Sequence, residues 1–165
     1  MRELHHIGYW VDDLAEATTG AHGTLGVGPF HQHAHVAFDS FVLADGTAIL
    51  DPAYFDHSAA FALWGDAVVE LGEVHSIHPD LAAAYRFSPG TVSHVSWVVD
   101  DLAAEIAHLE ARGCALIHTA RSGEVEVAWH DGGDLFPHPI EVHRAGAPIL
   151  GMRRRLAEMA QAATA

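Results

Sequence analysis

Two stretches of the chain carry the same order of apolar and polar positions. HHIGYWVDDLAEA, from His5, and SHVSWVVDDLAAE, from Ser93, align without a gap: His6 falls on His94, Val11 on Val99, and Asp12-Asp13-Leu14 on Asp100-Asp101-Leu102. Each opens with a run rich in Val, Ile, Tyr and Trp that reads as a strand, then changes at the aspartates to the apolar spacing of a helix. In the second stretch Leu102, Ile106 and Leu109 stand at i, i+4 and i+7, the Asp pair offers an N-cap and Gly113 a left-handed stop. In the first, Leu14, Ala17, Ala21 and Leu25 play the same part, Asp13 and Glu16 have capping-box spacing, and LGVGPF closes the segment. The chain reads as a tandem duplication.

After the second helix, β-prone runs fall at about 115–119, 124–130 and 138–143, parted by the turn signals RSG and DGGD, so this copy reads βαβββ. The first copy gives the same order with runs at about 35–43, 47–50 and 67–74, and DPAYFDHSAAFALWG reads as an irregular insert before the last of them. The expected fold class is α+β: one domain over 1–165, with module one at about 4–76, a linker helix at about 79–90 and module two at about 92–144. A C-terminal helix at about 147–163 carries Ile149, Met152, Leu156 and Met159 as one apolar stripe.

Composition narrows the function. Twenty-two acidic residues stand against eight arginines and no lysine, for a formal charge of -14, so the field repels polyanions and nucleic acid is excluded as a partner. No run approaches the roughly 20 apolar residues that cross a bilayer, and MRELHHIGYWV lacks the apolar core of a secretory signal. The expected setting is cytoplasmic, away from membranes. The single Cys114 cannot build a thiolate cluster, so any metal must rely on nitrogen and oxygen. Fifteen histidines make that a live question.

Strand alternation puts His6 with Gly8 and Trp10, and His94 with Ser96 and Val98, on the faces turned away from the helices. Glu70 in AVVELGEV and Glu141 in HPIEVHR occupy the last strand of each copy. A single glutamate between apolar neighbours usually points to water from an edge strand. Two at equivalent places, each matched by a first-strand histidine, instead give an all-N/O set suited to a divalent ion with positions left for water or substrate. Such an ion also offsets the mutual repulsion of two buried carboxylates. On the penultimate strand Glu124, Glu126, Ala128 and His130 share a face, which makes Glu126 and His130 candidate pocket residues, with a solvated strand face as the alternative. His143 shares the parity of Glu141 and can donate to it. Tyr54, Phe55, Phe61 and Trp64 of the insert offer an apolar wall for a hydrophobic carbonyl compound. The lack of lysine argues against a polyphosphorylated CoA ester, although Arg86, Arg121 or Arg144 can hold one anionic group.

The segments HHIGYWVDDL, LGVGPF, VVELGEV, SHVSWVVDDL and HPIEVH, spanning His5 to His143, resemble the vicinal oxygen chelate superfamily, also called glyoxalase/bleomycin-resistance/extradiol-dioxygenase proteins. The resemblance implies two βαβββ modules forming a cupped mixed sheet with one divalent ion (Zn, Ni, Co or Mn) in its concave face. His6, Glu70, His94 and Glu141 match the ligand positions. It further implies proton-transfer chemistry, as isomerase, epimerase or lyase, on a small carbonyl or acyl substrate through a metal-stabilised enolate, with Glu141 the first candidate base and Glu70 the second. The His-Glu-His-Glu set resembles bacterial glyoxalase I, whereas methylmalonyl-CoA epimerases usually carry Gln at the position of Glu70; the overall layout looks more like the epimerase-like branch. Those epimerases use a further glutamate from the first module, and none lies between Glu16 and Glu70. His31, His33 and His35 fall near that region, which makes His33 and His35 candidate substrate contacts beside Trp64, Glu126 and His130. The family also implies a homodimer. The competing readings are a metal-free small-molecule binder and, less favoured, an extradiol-type dioxygenase, in which the position of Glu70 is normally His.

Overall fold

The computed structural model describes residues 2–164. Met1 and Ala165, the ends of the expected unit, lie outside the described residues. Strands β1 (Leu4–Val11) and β6 (Val92–Val99) run antiparallel side by side at the centre of one sheet. Each pairs on its other side, in parallel, with the last strand of its own copy: β1 with β5 (Ala67–Ile77) and β6 with β9 (Ile140–Arg144). Beyond β5 lie β4 (Phe55–Trp64) and β2 (His31–His33); beyond β9 lie β8 (Val125–His130), β7 (Leu116–Ser122) and β3 (Ser40–Leu43). The nine strands make one curled, mixed sheet in the order β2-β4-β5-β1-β6-β9-β8-β7-β3.

The aspartate pairs end the first strands as the sequence predicts. Asp13 accepts a hydrogen bond from the Glu16 amide (2.8 Å) to start α1 (Leu14–Leu25), and Asp101 accepts from the Ala104 amide (2.9 Å) to start α3 (Leu102–Glu110). Each cap contributes about 1 kcal/mol relative to alanine. Gly26 ends α1 in the left-handed region, which a side chain would strain. Leu102 and Leu109 of α3 pack on Val95, Trp97, Val99, Ile140 and Val142, which commits that face of β6 and β9 to the helix. The opposite, concave face holds a second core in which Trp10, Phe55, Val127 and Trp129 meet Leu81 and Tyr85 of α2 (Pro79–Tyr85). The linker helix is thus shorter than expected, ended by Arg86 at φ 51.

Four expectations are corrected. The presumed insert is mostly β4, a ten-residue strand; its alanines and histidines lack the β-branched signature, yet Phe55, His57, Ala59 and Phe61 alternate onto the concave side. The run at about 35–43 is replaced by β2 and β3, and β3 leaves its own half to pair with β7, Ser40 opposite Arg121 and Leu43 opposite His118, covering an edge that would otherwise be bare. At about 47–50 only an isolated bridge forms, Val42 with Ala48. The C-terminal helix breaks at Gly151 into α4 (Ala147–Leu150) and α5 (Met152–Thr164), with Ile149 and Leu156 buried.

Candidate metal centre

The register of the four central strands brings the four ligand candidates together. Gly8 lies between His94 on one neighbouring strand and Glu70 on the other; Ser96 lies between His6 and Glu141 in the same way. Residues level with one another across a sheet project to the same face, and here the residue between each pair is small, so the longer side chains on either side close over it. A Cβ on Gly8 would come within 2.3 Å of His94 Cε1 and 2.4 Å of Ser93 Oγ, both on buried side chains. Gly8→Ala is therefore expected to cost about 1–3 kcal/mol by overpacking and to turn the His94 ring out of place. A thermal melt and a metal titration check it; an unchanged affinity would contradict the positioning.

All four side chains are buried. The Nε2 atoms of His6 and His94 are 2.8 Å apart. His6 Nε2 lies 3.0 Å from Glu70 Oε2 and 3.1 Å from Glu141 Oε2, and His94 Nε2 lies 3.3 Å from each of the same oxygens. For bonds of about 2.1 Å, neighbouring ligand atoms sit roughly 3.0 Å apart in an octahedron and roughly 3.4 Å apart in a tetrahedron. The observed separations bracket the octahedral edge. The tautomers agree with this. His5 Nε2 faces the Ile149 carbonyl (3.2 Å), which can only accept, and burial, with the nearby His6 charge, lowers the His5 pKa to about 4, so His5 is neutral with a bare Nδ1. His6 Nδ1 at 2.7 Å must then be the donor, so when His6 gives up its second proton the free lone pair is the one on Nε2, beside His94, Glu70 and Glu141. His94 Nδ1 is likewise occupied by Ser93 Oγ (2.9 Å), and Glu141 Oε2 is held by His143 Nε2 (2.9 Å). The donor set, its burial and its convergence fit a divalent ion. His6, Glu70 and His94 form one group able to hold a metal, and His6, Glu141 and His143 form another that shares the same histidine.

Electrostatics point the same way. Burial works against charging His94, but the Glu141 and Glu70 carboxylates outweigh it and raise its pKa to about 10; His6 is raised by the same balance. Burial also opposes ionising Glu70, yet hydrogen bonds from His6 and His94 hold it well below the usual carboxylate range. Glu141 is lowered too, the charges of His143 and His94 overcoming its burial. A raised histidine stabilises the metal-free fold below pH about 6.5, and that contribution disappears as pH climbs through about 10. A lowered carboxylate stabilises above its ordinary pKa and fails as pH falls. Since an ion can bind only when the His94 proton leaves, uptake by stripped protein near neutrality is expected to release at least about one proton, with affinity rising about tenfold per pH unit above neutrality. Calorimetry in buffers of different protonation enthalpy measures this, and a pH-independent affinity would contradict it.

The other sequence candidates separate. His33 and His35 stand at the rim of the cavity, with His35 tied to Asp56 (2.9 Å). Glu126 and His130 do not face the cavity. Cross-strand pairing puts Val127 beside His143 and Trp129 beside Glu141, so the odd-numbered residues of β8 take the concave face. Glu126 pairs outside with Arg144 (2.8 Å), and His130 Nδ1 donates to the Cys114 carbonyl beneath α3. The alternation of one strand groups its residues into two faces, but only its pairing with β9 decides which of them meets the cavity. Trp64 ends β4 half exposed and away from the cavity, where only Phe55 and Phe61 of the supposed wall remain as lining. Sequence reasoning missed His57 and His118 on the cavity wall; the F-H-A-F alternation of β4 was the available signal for His57.

The curled sheet of two βαβββ copies thus carries on its central strands a buried His/Glu cluster that could hold a metal ion. The profile of the Glyoxalase/Bleomycin resistance protein/Dioxygenase superfamily matches residues 5–130, and the chain belongs to that superfamily. No curated protein matches it. Among solved structures it is similar to methylmalonyl-CoA epimerase from Mycobacterium tuberculosis, at 19% identity over 90% of this chain and 91% of the other with a TM-score of 0.58. It is also similar to a hypothetical protein from Bacillus halodurans C-125, at 16% identity over 88% and 95% with a TM-score of 0.59. A third is Streptomyces coelicolor methylmalonyl-CoA epimerase in complex with 2-nitronate-propionyl-CoA, at 14% identity over 87% and 97% with a TM-score of 0.55. At these identities the likeness is one of fold.

Proposed function

We propose that the chain is a divalent-metal-dependent enzyme of proton transfer, an isomerase, epimerase or lyase, acting on a small carbonyl compound in the cup. The observation that carries it is that the Nε2 atoms of His6 and His94 lie at ligand-edge distance from one another and each from a carboxylate oxygen of both Glu70 and Glu141. When bound, the ion polarises a substrate oxygen and stabilises the negative charge left when the neighbouring C–H proton is removed.

The residues divide the remaining work. His5, through the Ile149 carbonyl, and Ser93 orient the two imidazoles. Glu141 is the first candidate base, because His143 beside it can hold the carboxylate in place. Glu70 is the second. Trp10, Trp129 and α2 keep water from the inner end of the cup. The epimerase-like fold of the neighbours is consistent with this chemistry, and a homodimer is part of the same reading. Solvent deuterium entering the carbon next to the carbonyl of 2-hydroxy-1-phenylethanone, with no oxygen consumed, is the expected result; oxygen uptake without exchange would favour oxygenation instead.

A further inference from the structure

The cavity that holds the cluster has a volume of about 350 Å³ and runs inward from the four ligand side chains. Its walls come from opposite halves of the sheet. On the β4 side the His57 ring lies nearly parallel to Phe55 (4.5 Å between centroids, 14° between planes) and to Phe38 (6.0 Å, 23°). On the β8 side Val125, Val127 and Trp129 face it, with Trp129 stacked on Tyr85 (4.6 Å, 21°). Flat walls of this kind favour a flat guest.

Charge selects further. Among the described residues no arginine lines the cavity, and Arg86, Arg144 and Arg121 are engaged by acidic residues: Arg86 with Asp131 at 2.7 Å, Arg144 with Glu126 at 2.8 Å and Arg121 facing Asp39 at 4.0 Å. Two ionised carboxylates cancel the charge of a divalent ion, so the loaded centre adds no net positive charge to draw in remote phosphates, and the chain as a whole carries -14. Polar groups besides the four ligands also line the cavity: of the buried histidines among them, His118 is bonded to Tyr85 and His143 to Glu141, whereas the His57 side chain has no hydrogen bond among the described residues. His57 is buried on the wall, and its Nδ1 has no hydrogen-bond partner among the described residues. Burial lowers its pKa to about 4, so it stands neutral, able to offer one donor or one acceptor. A neutral imidazole that lines a cavity without a partner gains by meeting one on a ligand.

We infer that the inner chamber is a subsite for an uncharged aromatic ring bearing one polar substituent, which hydrogen bonds to His57, and that acyl-CoA and other polyphosphorylated esters are not the substrates of this cup. The assignment rests on the metal-centre reading for the reacting end of the ligand only; the ring subsite stands on the walls.

The test is calorimetric titration of zinc-loaded and zinc-stripped protein with 2-hydroxy-1-phenylethanone, its three ring-hydroxylated isomers and propionyl-CoA. The expected result is that the phenyl ketones bind more tightly than propionyl-CoA and that at least one hydroxylated isomer binds about tenfold tighter than the parent, the scale of one neutral hydrogen bond. His57→Phe keeps the stacked wall and should erase that preference, while His57→Gln should retain part of it. Val127→Phe, which fills the chamber, should weaken all the phenyl ketones by about tenfold or more with zinc uptake unchanged, so the proposal remains testable if a His57 variant fails to fold. Propionyl-CoA binding as tightly as the ketones would overturn it, and so would a preference that survives His57→Phe. Titrating stripped protein reads the ring subsite alone: no ketone binding there overturns the subsite whether or not zinc is taken up. Failed zinc uptake with ketone binding intact overturns only the metal centre.

Discussion

Replacing His94 with alanine is expected to lower divalent-ion affinity by more than about 100-fold, beyond the 10–100-fold typical of losing an outer hydrogen-bond partner of a ligand. The reason is geometric. His94 Nε2 lies within 2.8–3.3 Å of the other three ligand atoms, so its loss opens one corner of a figure whose remaining corners are held by separate strands. It also leaves Glu70 and Glu141 buried near one another with one fewer positive partner, so one of them takes up a proton and is withdrawn as a ligand. Titration of the stripped variant measures this. An affinity within a few-fold of the parent would show that His94 is a core histidine with no part in a metal site.

The second large effect is expected for Glu141→Gln. The amide keeps the size of the side chain and one oxygen that can face an ion, but it cannot accept a proton from carbon. Solvent deuterium exchange into a bound hydroxyketone should fall by about 10²–10⁴-fold, the usual range for a positioned general base, with metal content largely retained. Glu126→Gln serves as the comparison. Its carboxylate sits outside with Arg144, so exchange and stability should stay within about 0.5 kcal/mol of the parent. Equal losses in both variants would contradict the assignment of Glu141.

What the sequence revealed and what it hid follow from where each signal lies. The duplicated strand-Asp-helix segments are local, and both aspartates cap as their spacing predicts. The His and Glu pairs were legible because each copy vouches for the other. Register was not legible. Which side of β8 faces the cup depends on the level at which it pairs with β9, and a single strand carries no record of that, so His130 and Glu126 were placed on the wrong face. Strand β4 was hidden by its composition, since Ala59, Ala60 and Ala62 are buried by residues outside the strand: Ala62 packs with Val27, from before β2, and with its cross-strand partner Val69. The crossing of β3 onto β7 is likewise a long-range pairing that propensity cannot foretell.

The most direct measurement of the central claim is a titration of chelator-stripped protein with cobalt(II), followed by visible absorption. The account predicts a saturable change with its end point at one ion per chain, reversed by chelator and lost in the His94 variant. Absorption that never saturates, or that persists unchanged without His94, would mean that these four side chains do not share an ion.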